Sequence, residues 1–464
     1  MVANEMVLTS INPFNEKILK EFNEDNQKEL EEKLKKSIHS FHNWKNSSIE
    51  KKSTLLKNIA SILSENKNKY ASLMTLEMGK PIAQAVSEVE KCRWVCDFYA
   101  ENAKSFLEKE IIQTDADSSF VQYNPLGVIL GIMPWNFPFW QVFRWAVPSL
   151  IAGNTVLLKH ASNVPQCALA LEDIFKKAGF EENEFQNLLI RSNSISSIIE
   201  DNRIAAVSLT GSTQAGMKTA EKTGKTLKKT VLELGGSDPF IVFDDADLKC
   251  TVDRAVKARM SNTGQSCIAA KRFIVLDGIF DSFQELLTEK ISSLQVGNPL
   301  DNTADIGPLA TKDGVDQIDR QVKRSVEMGA HVLVGGGKPD MPGFFYLPTV
   351  ITNVKKEMPV FNEETFGPVA AVIKVEDEKE ALNVANDTCY GLGASIWTGD
   401  VEKAAMLSRD LEAGNVFIND IVKSDPRLPF GGIKKSGFGR ELSSYGIREF
   451  VNMQTVYIKK IEEI

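Results

Sequence analysis

Histidine and cysteine are scarce in this sequence, and it has neither an excess of basic charge nor any long apolar run. The 464 residues hold four histidines, His39, His42, His160 and His331. They are scattered and sit in no Ser-His-Asp or metal-ligand signature, which sets aside both a histidine base and a His-rich metal centre. Six cysteines, Cys92, Cys96, Cys167, Cys250, Cys267 and Cys389, are too few for a disulfide framework in so long a chain. Cys92 and Cys96 stand four apart on a helical stretch without further ligands at zinc spacing; packing is the reading there, and no metal is expected. The net charge of −8 offers no basic face for nucleic acid. The longest apolar stretches, 125–134 and 147–158, are broken by Gly, Pro or Asn and are too short to span a bilayer. The opening residues MVANEMVLTSINPFNEK carry no basic stretch leading into an apolar core, so no signal peptide is read. With reduced cysteines, these absences predict a cytoplasmic protein that engages neither nucleic acid nor membrane.

What is present is an ordinary globular composition, 43% hydrophobic and 25% charged, in a chain too long for one core. Two large domains and a small third element are expected. Residues 26–107 carry apolar side chains at three- and four-residue spacing and read as helices. From GVILGIM (127–133) the texture changes to short β-branched runs between helical stretches: NTVLLK (154–159), NLLI (187–190), AAVSLTG (205–211), TVLELGG (230–236) and DPFIVF (238–243). A second series follows with FIVL from 273, a helix to about 294, and strands near 331–334, 369–375, 394–397 and 415–419. This alternation predicts an α/β fold of two doubly wound domains. The tail FVNMQTVYIKK reads as a strand with no helix to cover it, so it needs a partner edge, such as one on another subunit.

Three segments carry chemistry. In Asn262-Thr263-Gly264-Gln265-Ser266-Cys267 a cysteine follows a Gly-containing turn among polar neighbours, where backbone N–H groups can favour a thiolate nucleophile. In Glu233-Leu234-Gly235-Gly236 a carboxylate ends an apolar strand, a setting that raises its pKa and suits a general base. In Pro134-Trp135-Asn136-Phe137-Pro138 two prolines fix a turn after a strand, holding the Asn136 amide as a rigid donor for an oxyanion. Taken singly, each is more readily a packing cysteine, a strand-end carboxylate or a structural turn.

In order, PWNFP (134–138), LLKHAS (157–162), LTGST (209–213), LELGGSDP (232–239), NTGQSCIA (262–269), EETFGP (363–368) and PFGGIKKSGFGRE (429–441) resemble the motifs of the aldehyde dehydrogenase superfamily over nearly the whole chain. Within it the chain is most like the shorter bacterial succinate-semialdehyde dehydrogenases. The resemblance implies a Rossmann-like dinucleotide-binding domain (1–111 and 125–234), a catalytic domain (235–428) and oligomerisation strands (112–124 and 447–464). It implies a homodimer or homotetramer acting on a small aldehyde with NAD or NADP. Cys267 would attack the aldehyde, Asn136 and the Cys267 N–H would hold the oxyanion, and Glu233 would activate the water that frees the acid.

For the cofactor the chain lacks G-x-G-x-x-G; Gly211-Ser212 with Gly216 opens a helix instead, a sound pyrophosphate site. The resemblance further places Trp135 near the phosphates, Lys159 on the adenosine ribose, and Glu364 with Phe366 at the nicotinamide ribose. Ser162 stands where NAD-specific members carry Glu, which leaves the choice between NAD and NADP open. For the substrate, Phe143 and Arg144 on the helix after Asn136 are read as part of an aromatic tunnel whose cation grips a distal carboxylate; a core stripe and an ion pair are the alternatives. A second arginine of some relatives, six residues before the nucleophile, is Ser261 here, and Ser424 or Arg427 is expected to compensate. Ala269 replaces the second cysteine that serves some relatives as a redox switch. The competing readings are an aldehyde dehydrogenase for an uncharged or glutaric semialdehyde, a CoA-acylating enzyme, and a non-catalytic relative.

Overall fold

The computed structural model describes residues 7–460. A hairpin of β1 (Val7–Ile11) and β2 (Ile18–Asn23), not foreseen from the sequence, precedes four helices: α1 (Gln27–Trp44), α2 (Ile49–Glu65), α3 (Lys67–Met78) and α4 (Ile82–Phe106). Capping starts α1 where it does: Asn26 accepts from the Lys28 and Glu29 N–H groups while Glu29 reaches back to the Asn26 N–H. Then come β3 (Glu110–Ile111) and β4 (Ser118–Pro125), followed by β5 (Val128–Met133), α5 (Trp140–Ile151), β6 (Thr155–His160), α6 (Pro165–Lys177) and β7 (Phe185–Asn187). This half ends with α7 (Ile195–Glu200), β8 (Ile204–Thr210), α8 (Thr213–Lys225) and β9 (Lys229–Glu233).

The second half holds β10 (Asp238–Val242), α9 (Leu248–Met260), β11 (Ala270–Leu276), α10 (Asp277–Ser292), α11 (Lys312–Glu327), β12 (His331–Val334) and β13 (Thr349–Thr352). It continues with α12 (Pro359–Asn362), β14 (Val369–Val375), α13 (Glu378–Asn386), β15 (Gly393–Trp397), α14 (Val401–Leu407) and β16 (Asn415–Ile418). The chain closes with β17 (Gly437–Phe438), α15 (Ser443–Arg448) and β18 (Val451–Ile458).

Two sheets organise these elements. One runs β17-β9-β8-β5-β6-β7, parallel except for β17, and the other β12-β13-β14-β11-β10-β15-β16, parallel except for β12. Their central strands are buried on both faces and read as continuous apolar runs, as sheets covered by helices do. The α/β expectation holds, with three local differences. The strand expected at NLLI lies two residues earlier, at Phe185–Asn187, because Leu188 turns to pack with Leu157 and Ile190. The four-residue strand β13, which lies between β12 and β14, was not foreseen. The uncovered tail finds its partner within the chain, since β18 pairs antiparallel with β4 from Val451↔Pro125 to Ile458↔Ser118. In this three-stranded sheet, ordered β18-β4-β3, the outer edge of β18 is left unpaired among the described residues.

Helix α5 carries the segment after Asn136 and is buried at all twelve positions. It lies so close to β5 that Gly131 sits directly beneath the Trp145 ring, where a Cβ would overlap it. Gly131→Ala is therefore expected to force Trp145 out of place at a cost of about 1–3 kcal/mol, read as a lowered thermal midpoint.

Candidate active site

The turns that leave the carboxyl ends of β5, β6, β8 and β9 are Pro134–Phe139, Ala161–Val164, Gly211–Ser212 and Leu234–Ser237, the edge where open α/β sheets bind ligands. Those after β5, β8 and β9 share a wall with the Cys267 loop, which leads into β11, and with Glu363–Pro368, which leads into β14. Between them lies a cleft of about 530 Å³ whose walls include Trp135, Asn136, Gly211, Ser212, Cys267, Glu364 and Phe366.

The Cys267 loop is a strained turn. Asn262 (φ 55°), Thr263 (φ 56°) and Gly264 (φ 73°) are left-handed in succession, a conformation that a β-branched threonine adopts only under restraint. The restraint is visible: the Thr263 hydroxyl donates to Gly307 O (3.2 Å), and Asn262 Nδ2 donates to Asn136 O (2.8 Å) and Gln265 O (3.0 Å). Asn262 thus ties the Cys267 loop to the Asn136 turn. Buried cations bind the rest of the loop by its carbonyls. Arg259 donates to Gly264 O, Thr365 O and Gly367 O, and Lys271 Nζ donates to Ser266 O (2.9 Å), Cys267 O (2.7 Å) and Ala269 O (3.3 Å). Cys267 itself is partly exposed in the cleft. Desolvation pushes its thiol up to about 12, against the opposing pull of Arg144 and Lys271.

Asn136 is buried, and one Nδ2 hydrogen goes to Gln265 O (3.0 Å), leaving the second for the cleft. Its turn is held from three sides. His160 Nε2 meets Pro138 O (2.8 Å), and burial lowers that imidazole to about 4, so it is neutral. Glu88 of α4 accepts from the Phe139 and Trp140 N–H groups (2.9 Å each), capping α5 from outside. Lys80 neutralises Glu88 and lies 3.9 Å from the centre of the Phe137 ring.

Glu233 ends β9 at 2% exposure, and neither carboxyl oxygen has a hydrogen-bond partner among the described residues. Its Oε1 is turned toward Gly431 and its side chain is not on the cleft wall. Burial holds the carboxyl well above its usual range; Arg144 and Arg440 oppose this and Glu441 reinforces it. The strand-end carboxylate expected from the sequence is therefore present, but it is stored beside the cleft rather than in it.

The residues expected at the cofactor divide. Trp135 and Phe366 meet edge to face (5.8 Å), with Gly211, Ser212 and Glu364 on the same walls. Ser212 caps α8 by accepting from the Ala215 N–H, and the first-turn N–H groups beside it face the cleft, a donor set suited to a pyrophosphate. Gly235 and Gly236 lie against Glu364, whose carboxyl accepts the Gly236 N–H (3.1 Å); a Cβ on Gly235 would collide with it. Lys159 and Ser162 sit at the end of β6, with Lys159 Nζ near Ser192 Oγ (3.3 Å) and lowered to about 8 by burial. Gly216 is not at the cleft. It lies on the buried face of α8, where a Cβ would come within 2.5 Å of both Leu234 methyls, so it is glycine for packing.

The substrate residues need more correction. Phe143 is core, stacked on Phe175 at 5.7 Å. Arg144 is buried in an ion pair with Glu441 under the Phe430 ring, and its charge is already matched. Arg427 forks onto Asp425 and lies over Trp94 with its side chain 67% exposed. Ser424 is buried and accepts from Trp140 Nε1 (3.0 Å) and from Lys91 Nζ (2.8 Å). Lys91, which sequence reasoning passed over, makes no ion pair among the described residues and rests 4.3 Å from the Trp140 ring centre. Burial lowers it to about 8, with Arg144 adding to the shift. Its signal was a cation beside the apolar face of α4; Lys80, Glu88 and Lys271 were passed over as well, although Lys80 pairs with Glu88 eight residues on and Lys271 reaches carbonyls two to five residues back.

Comparison with known proteins adds an independent line. The profile described as "Aldehyde dehydrogenase family" matches residues 2–456. A Synechocystis sp. protein named probable succinate-semialdehyde dehydrogenase (NADP(+)) is 51% identical over 453 residues, covering 98% of this chain and all of that protein. A Mycobacterium leprae protein named succinate-semialdehyde dehydrogenase (NADP(+)) is 45% identical over 456 residues, again covering 98% of this chain and 100% of its own. The crystal structure of succinic semialdehyde dehydrogenase from Streptococcus pyogenes in complex with NADP+ superposes with a TM-score of 0.96 at 39% identity, covering 98% of this chain and 100% of that one.

The unpartnered Glu233 carboxyl yields a stability prediction. A carboxyl raised in the folded state costs stability progressively as pH climbs above its unfolded value near 4.5 and toward the raised folded value. Glu233→Gln removes that cost, so the variant is expected to gain about 2 °C on the parent at pH 8 and little at pH 5, read by thermal melts at the two pH values.

Proposed function

The chain belongs to the aldehyde dehydrogenase family, and we propose that it oxidises succinate semialdehyde to succinate with NADP(+). The observation that carries this reading is a cysteine and a free amide hydrogen meeting at one cleft, with a half-buried, unmatched cation at Lys91 held against the Trp140 ring in α5's first turn.

The Cys267 thiolate adds to the aldehyde carbon and the carbonyl electron pair moves to oxygen. The second Nδ2 hydrogen of Asn136 and the Cys267 N–H receive that oxyanion. A dinucleotide held at Trp135, Ser212, Glu364 and Phe366 would supply the hydride acceptor through which the thiohemiacetal on Cys267 becomes a thioester. Glu233 swings from Gly431 toward the cleft and takes a proton from water. The water oxygen adds to the thioester, and collapse expels the Cys267 thiolate and leaves the carboxylic acid. Desolvation makes the carboxylate a stronger base when it acts.

We read the lobe of the six-stranded sheet as the dinucleotide-binding domain and the seven-stranded lobe as the catalytic one. NADP(+) is favoured by Ser162, which carries no charge to repel a 2′-phosphate, and by Lys159, cationic at neutral pH, at the same strand end. The relatives' names point the same way. The distal carboxylate is assigned to Lys91 and Ser424, since Arg144 is already neutralised. The open edge of β18, with exposed Met453, Tyr457 and Ile458, supports a homodimer or homotetramer joined through this sheet. Free cysteines throughout the described chain support a cytoplasmic setting.

The substrate assignment is tested by kcat/KM for succinate semialdehyde, glutarate semialdehyde, hexanal and betaine aldehyde with NADP and NAD, with CoA added and withheld. The expected order puts succinate semialdehyde with NADP first, without CoA; a preference for hexanal or an acyl-CoA product would refute the proposal. Lys91→Met should lower kcat/KM for succinate semialdehyde about 100-fold while sparing hexanal. In the parent, KM for the semialdehyde should rise as pH passes 8 and the Lys91 ammonium is lost, whereas that for hexanal should not. Glu233→Gln should keep the initial burst of reduced cofactor but slow steady turnover about 10²–10⁴-fold, measured by stopped flow.

A further inference from the structure

Lys271 is a charged side chain that the reaction as derived above does not use. It stands at the start of β11, four residues past Cys267, and is 0% exposed. Its Nζ faces three carbonyl oxygens, those of Ser266, Cys267 and Ala269. A neutral amine has only two N–H donors, so a threefold carbonyl cradle fits the ammonium. The nearest carboxylate, Glu364, is 3.8 Å away and belongs to the cleft wall, where it also accepts the Gly236 N–H. Gly236 shares this spot: a Cβ there would lie 2.6 Å from Cys267 O. The Cys267 carbonyl is thus pinned between a glycine and a buried cation, which fixes the direction of the peptide on the nucleophile's far side.

We propose that Lys271 is a positioning residue of the reaction, a buried ammonium that orients the Cys267 peptide through three carbonyls and supplies positive charge favouring the thiolate. This rests on Cys267 being the nucleophile. The charged groups acting on the thiol are Arg144 and Lys271, which favour its ionisation, and Glu364 and Glu233, which oppose it; burial opposes it most. Around Lys271 stand Glu364, Asp238, Arg259 and Cys267, with burial the largest influence on its own proton. Arg144 is paired with Glu441 and Arg259 is spent on carbonyls near Gly264, which leaves Lys271 as the cation bound to the nucleophile's own peptide.

The test is the pH profile of Cys267 alkylation by iodoacetamide, followed by mass spectrometry of the Cys267 peptide so that Cys250 and Cys389 are not counted. Lys271→Met is expected to move the profile up by about one pH unit, with alkylation at pH 7 slowed about tenfold and kcat falling more than KM rises. Should that variant not fold, Lys271→Gln, which keeps two donors for the carbonyls without the charge, is expected to show the same shift. Lys271→Arg, which keeps the cation, should return the profile toward the parent. A profile unmoved in the Met or Gln variant, or shifted equally in the Arg variant, overturns the proposal. Full turnover in Cys267→Ala would instead overturn the reading of the nucleophile, and this proposal with it.

Discussion

The chemistry of this enzyme hangs on a turn whose backbone would not choose its own shape. Three left-handed residues, Asn262 to Gly264, precede Cys267, and one of them is a β-branched threonine. Such a turn persists because its surroundings over-determine it. The surroundings are polar: an asparagine bridging to the Asn136 turn, and the cations of Arg259 and Lys271 spread over carbonyl oxygens. Apolar packing alone fixes side-chain volume but not the direction of a peptide plane. Charged donors fix that direction, and they do so only because burial keeps water from competing.

A second consequence of burial is that acids and bases here are stored rather than displayed. Glu233 is desolvated and unpartnered, and Glu441 takes up the charge of Arg144 a short way off. Two carboxyls near one guanidinium cannot both ionise cheaply, so their protons are coupled through Arg144. Lys91 lies within the field of the same guanidinium, which adds to the lowering of its own pKa. Lys91 and Glu233 are thereby joined electrostatically through one arginine.

Much of this was legible beforehand. Turns at strand ends rich in Gly, Pro and amide side chains marked Asn136, Gly211, Ser212 and Cys267, because such residues in such places answer to backbone geometry that sequence records locally, while Trp135 and Glu364 were reached only through the family resemblance. What stayed hidden depends on partners distant in the chain. Glu88 and Phe139 meet only through tertiary packing, as do Lys91 and Ser424. On the helix after Asn136, periodicity could not separate a tunnel wall from core, so Phe143 and Arg144 were assigned to a substrate they do not face in this structure. Gly216 followed a phosphate-loop spacing but answers to the methyls of Leu234. The strands β1, β2 and β13 were missed as well: β1 and β2 form a separate hairpin outside the two helix-covered sheets, and β13 sits between β12 and β14.

The last two strands of the chain both belong to structure laid down in its first half. β17 adds an edge to β9, and β18 lies along the full length of β4. A chain emerging from the ribosome would have made the helices α1 to α4 and most of the six-stranded sheet long before these partners existed. The early lobe must therefore wait, with one sheet edge open and β4 nearly alone, while the whole seven-stranded lobe is synthesised between them. Completion of the early lobe is thus tied to the synthesis of β17 and β18, and a chain truncated before them would leave the outer edge of β9 and the open side of β4 without their partners.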